Sequence, residues 1–153
     1  MVTNTGFSIP SGTVEVRINY DKVVELEAAT ATIVAGMGLS IVAGSNGAQV
    51  TPGASGTSVD FYGIALDNRL YDSTYNKQYA FDDAYPIGDM VRVAIKGGGH
   101  HAVATAKGTV TAGNDVILVA APDIGEFVDG VTAGSVAGKA LTDATDTTFI
   151  IEF

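Results

Sequence analysis

Short stretches of alternating apolar residues, separated by glycine turns, recur along this chain and limit the folds open to it. Residues 13–18 alternate valine and isoleucine with charged residues, which is the period of two expected for a half-buried strand. The glycine-rich segments 44–47 and 97–99 mark turns, because glycine and asparagine adopt positive φ at little cost. Strands separated by turns every ~8–12 residues favour a sandwich or barrel over an α/β fold.

The composition agrees with this pattern. Nineteen glycines, together with many Val, Ile and Thr residues, disfavour helices and suit strands and tight turns. Cysteine is absent, so neither disulfides nor thiolate ligands are available. The sequence therefore predicts an all-β protein, a small β-barrel or β-sandwich with at most one or two short helices. We expect residues 1–12 to form an extended N-terminal arm and residues 13–153 to form a single β domain.

One local unit occurs three times: one or two apolar residues, a glycine turn, and an alternating strand. Its copies begin at Ile33, Ile87 and Val110 and lead into residues 39–42, 91–95 and 116–119. Val-Thr-Ala-Gly also occurs at 110–113 and 131–134, but this echo is too short to define a repeat architecture.

Two segments are less regular. Residues 23–31 suit a short helix or a strand, and the alternation at their start favours the strand. Residues 28–44 are the longest uncharged run of mainly apolar residues, yet they are too short and too rich in Ala, Thr and Gly to cross a bilayer. We interpret this run as two strands around a glycine turn and expect no membrane partner.

The charge of the chain bears on its partners. The formal net charge is −9, and the eight basic residues are scattered. This argues against binding nucleic acid, because phosphate neutralisation requires clustered Lys and Arg. An acidic surface is compatible with solubility alone or with a basic protein partner.

The N-terminal arm carries three spaced apolar residues, Val2, Phe7 and Ile9. Such a segment either frays or becomes ordered on a partner, for example by adding a strand to the edge of a sheet. These three residues are therefore candidate interface residues.

The segment 67–85 departs from the strand pattern and contains five of the twelve aromatic residues. It is expected to be a long loop or a short helix. Tyr71, Tyr75 and Tyr79 are spaced by four residues and would line one face of such a helix. That face would pack against the barrel or contact another subunit, because tyrosine is enriched at interface centres.

We find no constellation of residues that predicts catalysis, cofactor binding or a metal site. His100 and His101 would point to opposite faces of a strand, which is unsuited to chelating one metal, and a pair following three glycines is expected to be solvated. The common hydrolase, zincin and P-loop motifs are missing from the sequence. The carboxylates lack calcium-loop spacing and are better explained as turn formers. The most prominent are Asp82, Asp83, Asp143, Asp146 and Glu152.

The order of several motifs carries a family resemblance. Gly63-Ile64-Ala65-Leu66 recurs near the C-terminus as Gly138-Lys139-Ala140-Leu141. The intervening and flanking landmarks are the segments 90–99, 111–116 and 148–153. From residue 36 to residue 153, this succession resembles the small capsid cement, or decoration, proteins of tailed phages.

The resemblance implies a structural, non-enzymatic protein. It would be a β-barrel-like subunit, commonly trimeric, that binds the outer surface of the mature head. It would stabilise the head by non-covalent contacts with the major capsid protein. The alternative is a ligand- or carbohydrate-binding β module in which Tyr71, Tyr75 and Tyr79 form a stacking platform, although the chain lacks tryptophan, which stacks best.

Overall fold

The fold is all-β, as predicted. The structure, a computed structural model, describes residues 15–17, 22–54, 61–66, 84–131 and 136–153. Within these ranges it consists of strands and turns and contains no helix. The predicted N-terminal arm, residues 1–12, lies outside the described residues. In chain order the strands are β1 (Glu15–Arg17), β2 (Val23–Ala28), β3 (Gly38–Ile41), β4 (Gln49–Pro52), β5 (Gly63–Ala65), β6 (Met90–Ile95), β7 (His101–Thr105), β8 (Thr109–Val110), β9 (Asp115–Leu118), β10 (Phe127–Asp129), β11 (Val136–Ala140), β12 (Ala144–Thr145) and β13 (Thr148–Glu152).

The first half of the chain forms a closed barrel. Its strands follow the order β2, β4, β3, β5, β6. β2 runs antiparallel to β6, from Val23 opposite Ala94 to Glu27 opposite Met90. The barrel closes where β2 runs parallel to β4, at Glu27 opposite Gln49. This parallel pair is the one exception in an otherwise antiparallel ring.

The second half repeats this topology. Its neighbouring strands follow the order β7, β13, β11, β9, β10, and all adjacent pairs are antiparallel. This order corresponds, strand by strand, to the order β2, β6, β5, β3, β4 in the first half. A parallel bridge between Ala106 and Phe127 joins β7 to β10 and completes the ring. Strands β8 and β12 pair with each other beside this ring. The chain is thus a tandem pair of barrels with one topology.

Backbone hydrogen bonds support the equivalence of the two barrels, because four of them recur at corresponding positions with equal lengths. The donor–acceptor pairs are Gly36–Ala65 and Gly113–Ala140 (2.8 Å), Ala65–Met37 and Ala140–Asn114 (2.9 Å), Ala28–Asp89 and Ala106–Thr147 (2.8 Å), and Val42–Gln49 and Val119–Glu126 (2.9 Å). Gly36 and Gly113 also share a positive φ, 87° and 90° respectively.

The two barrels differ most in one connection. Residues 66–89 link β5 to β6, whereas only residues 141–147 link β11 to β13. The longer connection contains the tyrosine-rich segment. Of that segment, residues 67–83 lie outside the described residues, and Tyr85 is buried, with its hydroxyl donating to the Leu66 carbonyl at 2.7 Å. For Tyr85, packing against the barrel is therefore the observed arrangement.

An aromatic cluster connects the two barrels. Phe61, which precedes β5, makes edge-to-face contacts with Phe127 and Phe153 of the second barrel, at centroid distances of 5.9 and 6.0 Å. Phe127 contacts Phe149 in the same way at 6.1 Å. All four rings belong to one buried cluster that includes Ile64 of β5. This shared cluster agrees with one β domain over residues 13–153, which stays a prediction. A second buried cluster lies within the first barrel alone.

The structure confirms most of the predicted strands and corrects one. Residues 15–17 and 23–28 are strands, and positive-φ glycines form the turns at 44–47 and 97–99. The prediction of two strands within residues 28–44 was wrong, because residues 29–37 form consecutive turns and only β3 follows. The Gly36 N–H donates to Ala65 of β5, which holds this segment in a turn.

Candidate interaction surfaces

The residues predicted from sequence to form an interface are not among those described. Val2, Phe7 and Ile9 precede residue 15, and Tyr71, Tyr75 and Tyr79 fall within residues 67–83. Their role as contacts stays a prediction. The chain connects them to described elements on both sides, since β1 follows the arm and Leu66 precedes the tyrosine segment.

β1 shows where the arm joins the body of the protein. It lies antiparallel along β7, with Glu15 opposite Ala102 and Arg17 opposite His101, and the register shifts between these pairs. β1 thereby extends the sheet of the second barrel at the edge of β7. The first described residues of the chain therefore belong to the sheet of the second barrel, although β2 of the first barrel follows them in sequence.

The two histidines point in opposite directions, as the strand alternation predicted. His100 is fully buried, and its ring packs on Phe153 at a centroid distance of 5.3 Å. Desolvation lowers the pKa of His100, while hydrogen bonds to the backbone of Lys22 and Ile95 act in the opposite direction. His101 is partly exposed and lies 2.9 Å from a carboxylate oxygen of Glu152.

The expectation that both histidines would be solvated was therefore wrong for His100. Two features bury it. The C-terminal Phe153 covers its ring, and the His100 and Phe153 backbones exchange two hydrogen bonds of 3.1 Å. Gly98 also leaves room for it, because a Cβ at this position would collide with the His100 ring.

Of the described carboxylates predicted to form turns, Asp143 and Asp146 bind backbone N–H groups at turns and bends, whereas Glu152 lies in strand β13, so the prediction was wrong for Glu152. Asp143 accepts a hydrogen bond from the Ala112 N–H at 2.8 Å, and Asp146 accepts one from the Gly108 N–H at 2.7 Å. Asp82 and Asp83 lie outside the described residues. Within the ranges that the structure describes, no three His, Cys, Asp or Glu side chains are grouped closely enough to hold a metal ion.

Asp129 is the most extensively hydrogen-bonded of these carboxylates. Its oxygens accept the Thr111 N–H at 3.0 and 3.2 Å and the Asn114 side-chain amide at 2.8 Å. Desolvation opposes ionisation here, but the hydrogen bonds outweigh it and lower the pKa of Asp129. The carboxylate thus joins the turn before β9 to the end of β10.

Among the described residues, most of the acidic side chains lie on the second barrel. Residues 101–153 contain seven acidic and two basic side chains, all of them described. The described residues from 22 to 100 contain three of each sign. The two basic side chains are Lys107, whose Nζ lies 3.6 Å from Asp123, and Lys139.

Several large apolar side chains are exposed. Ile87 and Met90 are 67% and 46% exposed on the first barrel, and Val131 and Leu141 are 78% and 38% exposed on the second. Leu141 occupies the position equivalent to Leu66, which is fully buried in the first barrel. Isolated apolar residues are common on protein surfaces, so these positions alone do not define an interface.

In the described part of the chain, no helix has the length and apolar character required to cross a bilayer. In the described residues, the fold defines a class of all-β proteins built from two barrels with one topology.

Comparison with known families identifies that class more closely. Residues 5–152 match the family described as structural cement protein (E217 gp24/Pam3 gp6). The match spans nearly the whole chain, and the chain belongs to this family of phage structural proteins. Membership makes it a structural component of a phage capsid. No curated protein matches the chain.

Proposed function

We propose that this chain binds the outer surface of the mature phage head and stabilises it by non-covalent bridging of major capsid protein subunits. The observation that carries this proposal is the family match over residues 5–152. The geometry supports it, because the two barrels share a buried aromatic core and can act as one body with two separate surfaces.

The stabilisation follows from mass action and requires no covalent chemistry. A protein that binds only the expanded shell lowers the free energy of that state by RT ln(1 + L/Kd), where L is its free concentration. Two barrels that contact different capsid subunits add avidity, because the second contact forms within an existing complex. Assembly as a homotrimer would multiply the number of contacts again.

We further propose that Val2, Phe7 and Ile9 of the arm and Tyr71, Tyr75 and Tyr79 make the principal contacts of this protein in the assembled shell, with capsid subunits or with neighbouring copies of this chain. Large apolar and aromatic side chains contribute most of the binding energy at protein interfaces. Their chain neighbours are anchored, the arm by β1 and the tyrosine segment by the buried Leu66 and Tyr85. An anchored segment loses less entropy on binding than a free one.

Co-sedimentation with purified heads tests this proposal. The protein should bind expanded heads saturably and unexpanded heads far more weakly. Deletion of residues 1–12, or joint replacement of Tyr71, Tyr75 and Tyr79 by serine, should reduce binding. The matched control is Asn46→Ser, in the exposed turn between β3 and β4. Equal binding to both head forms, or no saturable binding to either, would contradict the proposal.

A further inference from the structure

The two barrels differ at one backbone edge. In the second barrel, β1 pairs with the beginning of β7, at His101 and Ala102. In the first barrel, the strand equivalent to β7 is β2, whose pairing with β4 begins only at Glu27. Among the described residues, no strand pairs with Val23–Glu25 on the β4 side of β2. We call this stretch the open edge.

Backbone hydrogen bonds fix the correspondence between the two edges. Ala28 in β2 matches Ala106 after β7, because their N–H groups donate to the equivalent residues Asp89 and Thr147, both at 2.8 Å. Counting back along each strand places Val23 at the position of His101. The open edge therefore corresponds to the part of β7 that β1 covers.

The backbone N–H and C=O groups of Val23 and Glu25 point towards the β4 side of β2. The N–H groups of Glu27 and Ala29 donate towards the β4 side, to Ala48 and Val50 at 3.0 and 2.9 Å. Successive residues in a strand alternate in direction, so the N–H and C=O groups of Val23 and Glu25 point to that same side. These groups are available to an additional strand.

We propose that the open edge binds the N-terminal segment, residues 1–12, of a second copy of this chain. Main-chain hydrogen bonding to an exposed edge is a general mode of peptide recognition. Phe7 and Ile9 lie two residues apart, so both would project from the same face of an added strand. This inference rests on the self-association included in the proposed function.

The path of β1 favours a neighbouring copy over the chain's own arm. β1 is antiparallel to β7, so Arg17 pairs with the first residue of β7, His101, and Glu15 pairs farther along it, with Ala102. β2 begins near that first residue, since Lys22 lies beside His100. Glu15, on the side of β1 to which the arm is attached, is therefore the end of β1 farther from the chain's own open edge. Fourteen residues precede β1, and a segment of this length can span about 46 Å when extended.

Donation of each arm to the next copy is a head-to-tail contact. Contacts of this kind generate closed rings when the rotation between copies closes. A ring of three copies would agree with the proposed homotrimer. It would also fill the open edge of every subunit, leaving no unpaired β2 backbone.

Disulfide cross-linking in the absence of heads tests the inference, because the chain contains no cysteine of its own. Chains carrying Phe7→Cys or Ile9→Cys are mixed with chains carrying Glu25→Cys and oxidised. Without reductant, we expect a band at twice the chain mass of 15.6 kDa, and this band should disappear on reduction. The control partner is Ala31→Cys, which is exposed in the turn after the C-terminal end of β2, at the opposite end of that strand from the open edge, and should remain at the monomer mass.

A chain carrying both Ile9→Cys and Glu25→Cys distinguishes the donors. Cross-linking only within that chain, with none between the mixed single variants, would overturn the inference in favour of the chain's own arm. Absence of both cross-links would overturn it as well. Head binding by the unsubstituted protein is measured separately. If head binding persists but the cross-link does not form, the inference fails and the proposed function stands. If the cross-link forms but the protein does not bind heads, the inference stands and the proposed function fails.

Discussion

Gly63 and Gly138 occupy the same position in the two barrels, and each lies directly against a carbonyl group of the neighbouring strand. A Cβ on Gly63 would collide with the carbonyl oxygen of Ala94 in β6, and a Cβ on Gly138 would collide with that of Glu152 in β13. Both glycines open a Gly-x-Ala-Leu sequence. The recurring motif therefore marks a close approach of two strands rather than a binding site.

Replacement of either glycine by alanine should destabilise the protein strongly. The obstacle is backbone rather than a movable side chain, so we expect Gly63→Ala and Gly138→Ala each to reduce the free energy of unfolding by about 3 kcal/mol or more. Chemical denaturation measures this loss.

Gly113→Ala is the matched control. Gly113 has a φ of 90°, but a Cβ there meets nothing within 4 Å, so its replacement should cost only the left-handed backbone penalty of about 1–2 kcal/mol. Equal losses for Gly113→Ala and Gly138→Ala would show that steric contact is not the dominant effect.

The sequence predicted the strands better than their arrangement. Strand alternation and glycine turns are local signals, and they located β1, β2 and the turns at 44–47 and 97–99. The repeat was visible in part, since the units beginning at Ile33 and Val110 are structural equivalents. The unit beginning at Ile87 is different, because it leads into β6, whose equivalent is β13.

The tandem architecture could not be recognised from those local units because the barrels have connections of unequal length. The link from β5 to β6 is much longer than that from β11 to β13, so no single offset aligns the halves. The tetrapeptide Val-Thr-Ala-Gly is shared by residues 110–113 and 131–134, but these two copies are not structural equivalents. The structural equivalent of Val110 is Ile33. The burial of His100 was likewise unpredictable locally, because Phe153, distant in sequence, covers it.

Phe61 and Phe127 should couple the stability of the two barrels. Each is buried, and their edge-to-face contact crosses between the barrels. Phe127→Ala should cost about 3–5 kcal/mol. A double-mutant cycle with Phe61→Leu should give a coupling energy of about 0.5–1.5 kcal/mol. Additive losses would mean that the contact does not connect the two barrels energetically.

His100 should make the protein less stable as the pH falls. Its pKa in the fold lies below the ordinary value of 6.5, so the unfolded chain binds more protons between these two values. The free energy of unfolding should therefore decrease as the pH is lowered through this window and level off below the folded pKa. Denaturation at a series of pH values should show that His100→Gln removes this slope. An unchanged slope in the variant would assign it to another group.

Glu126 should have the opposite effect to His100 and make the protein more stable as the pH falls. Desolvation raises the pKa of Glu126 above the ordinary value of 4.5, while Lys107 partly offsets this effect. The protonated form is favoured in the fold, so its stabilising contribution is present below pH 4.5 and is lost as the pH rises through the raised pKa.

Glu126→Gln, which mimics the protonated form, tests this assignment. The stability of the variant relative to the original protein should increase between pH 4.5 and pH 8. A difference that stays constant or falls over this range would contradict the assignment.

The temperature at which isolated heads release their DNA tests the central claim most directly. Expanded heads lacking this protein are titrated with it, and release is followed by dye fluorescence. Because binding selects the intact shell, the release temperature should rise steadily with free protein concentration, including beyond the midpoint of binding. The Asn46→Ser control should behave like the original protein, and deletion of residues 1–12 should reduce the rise. A release temperature that does not change while the protein is bound to the heads would contradict a cementing role.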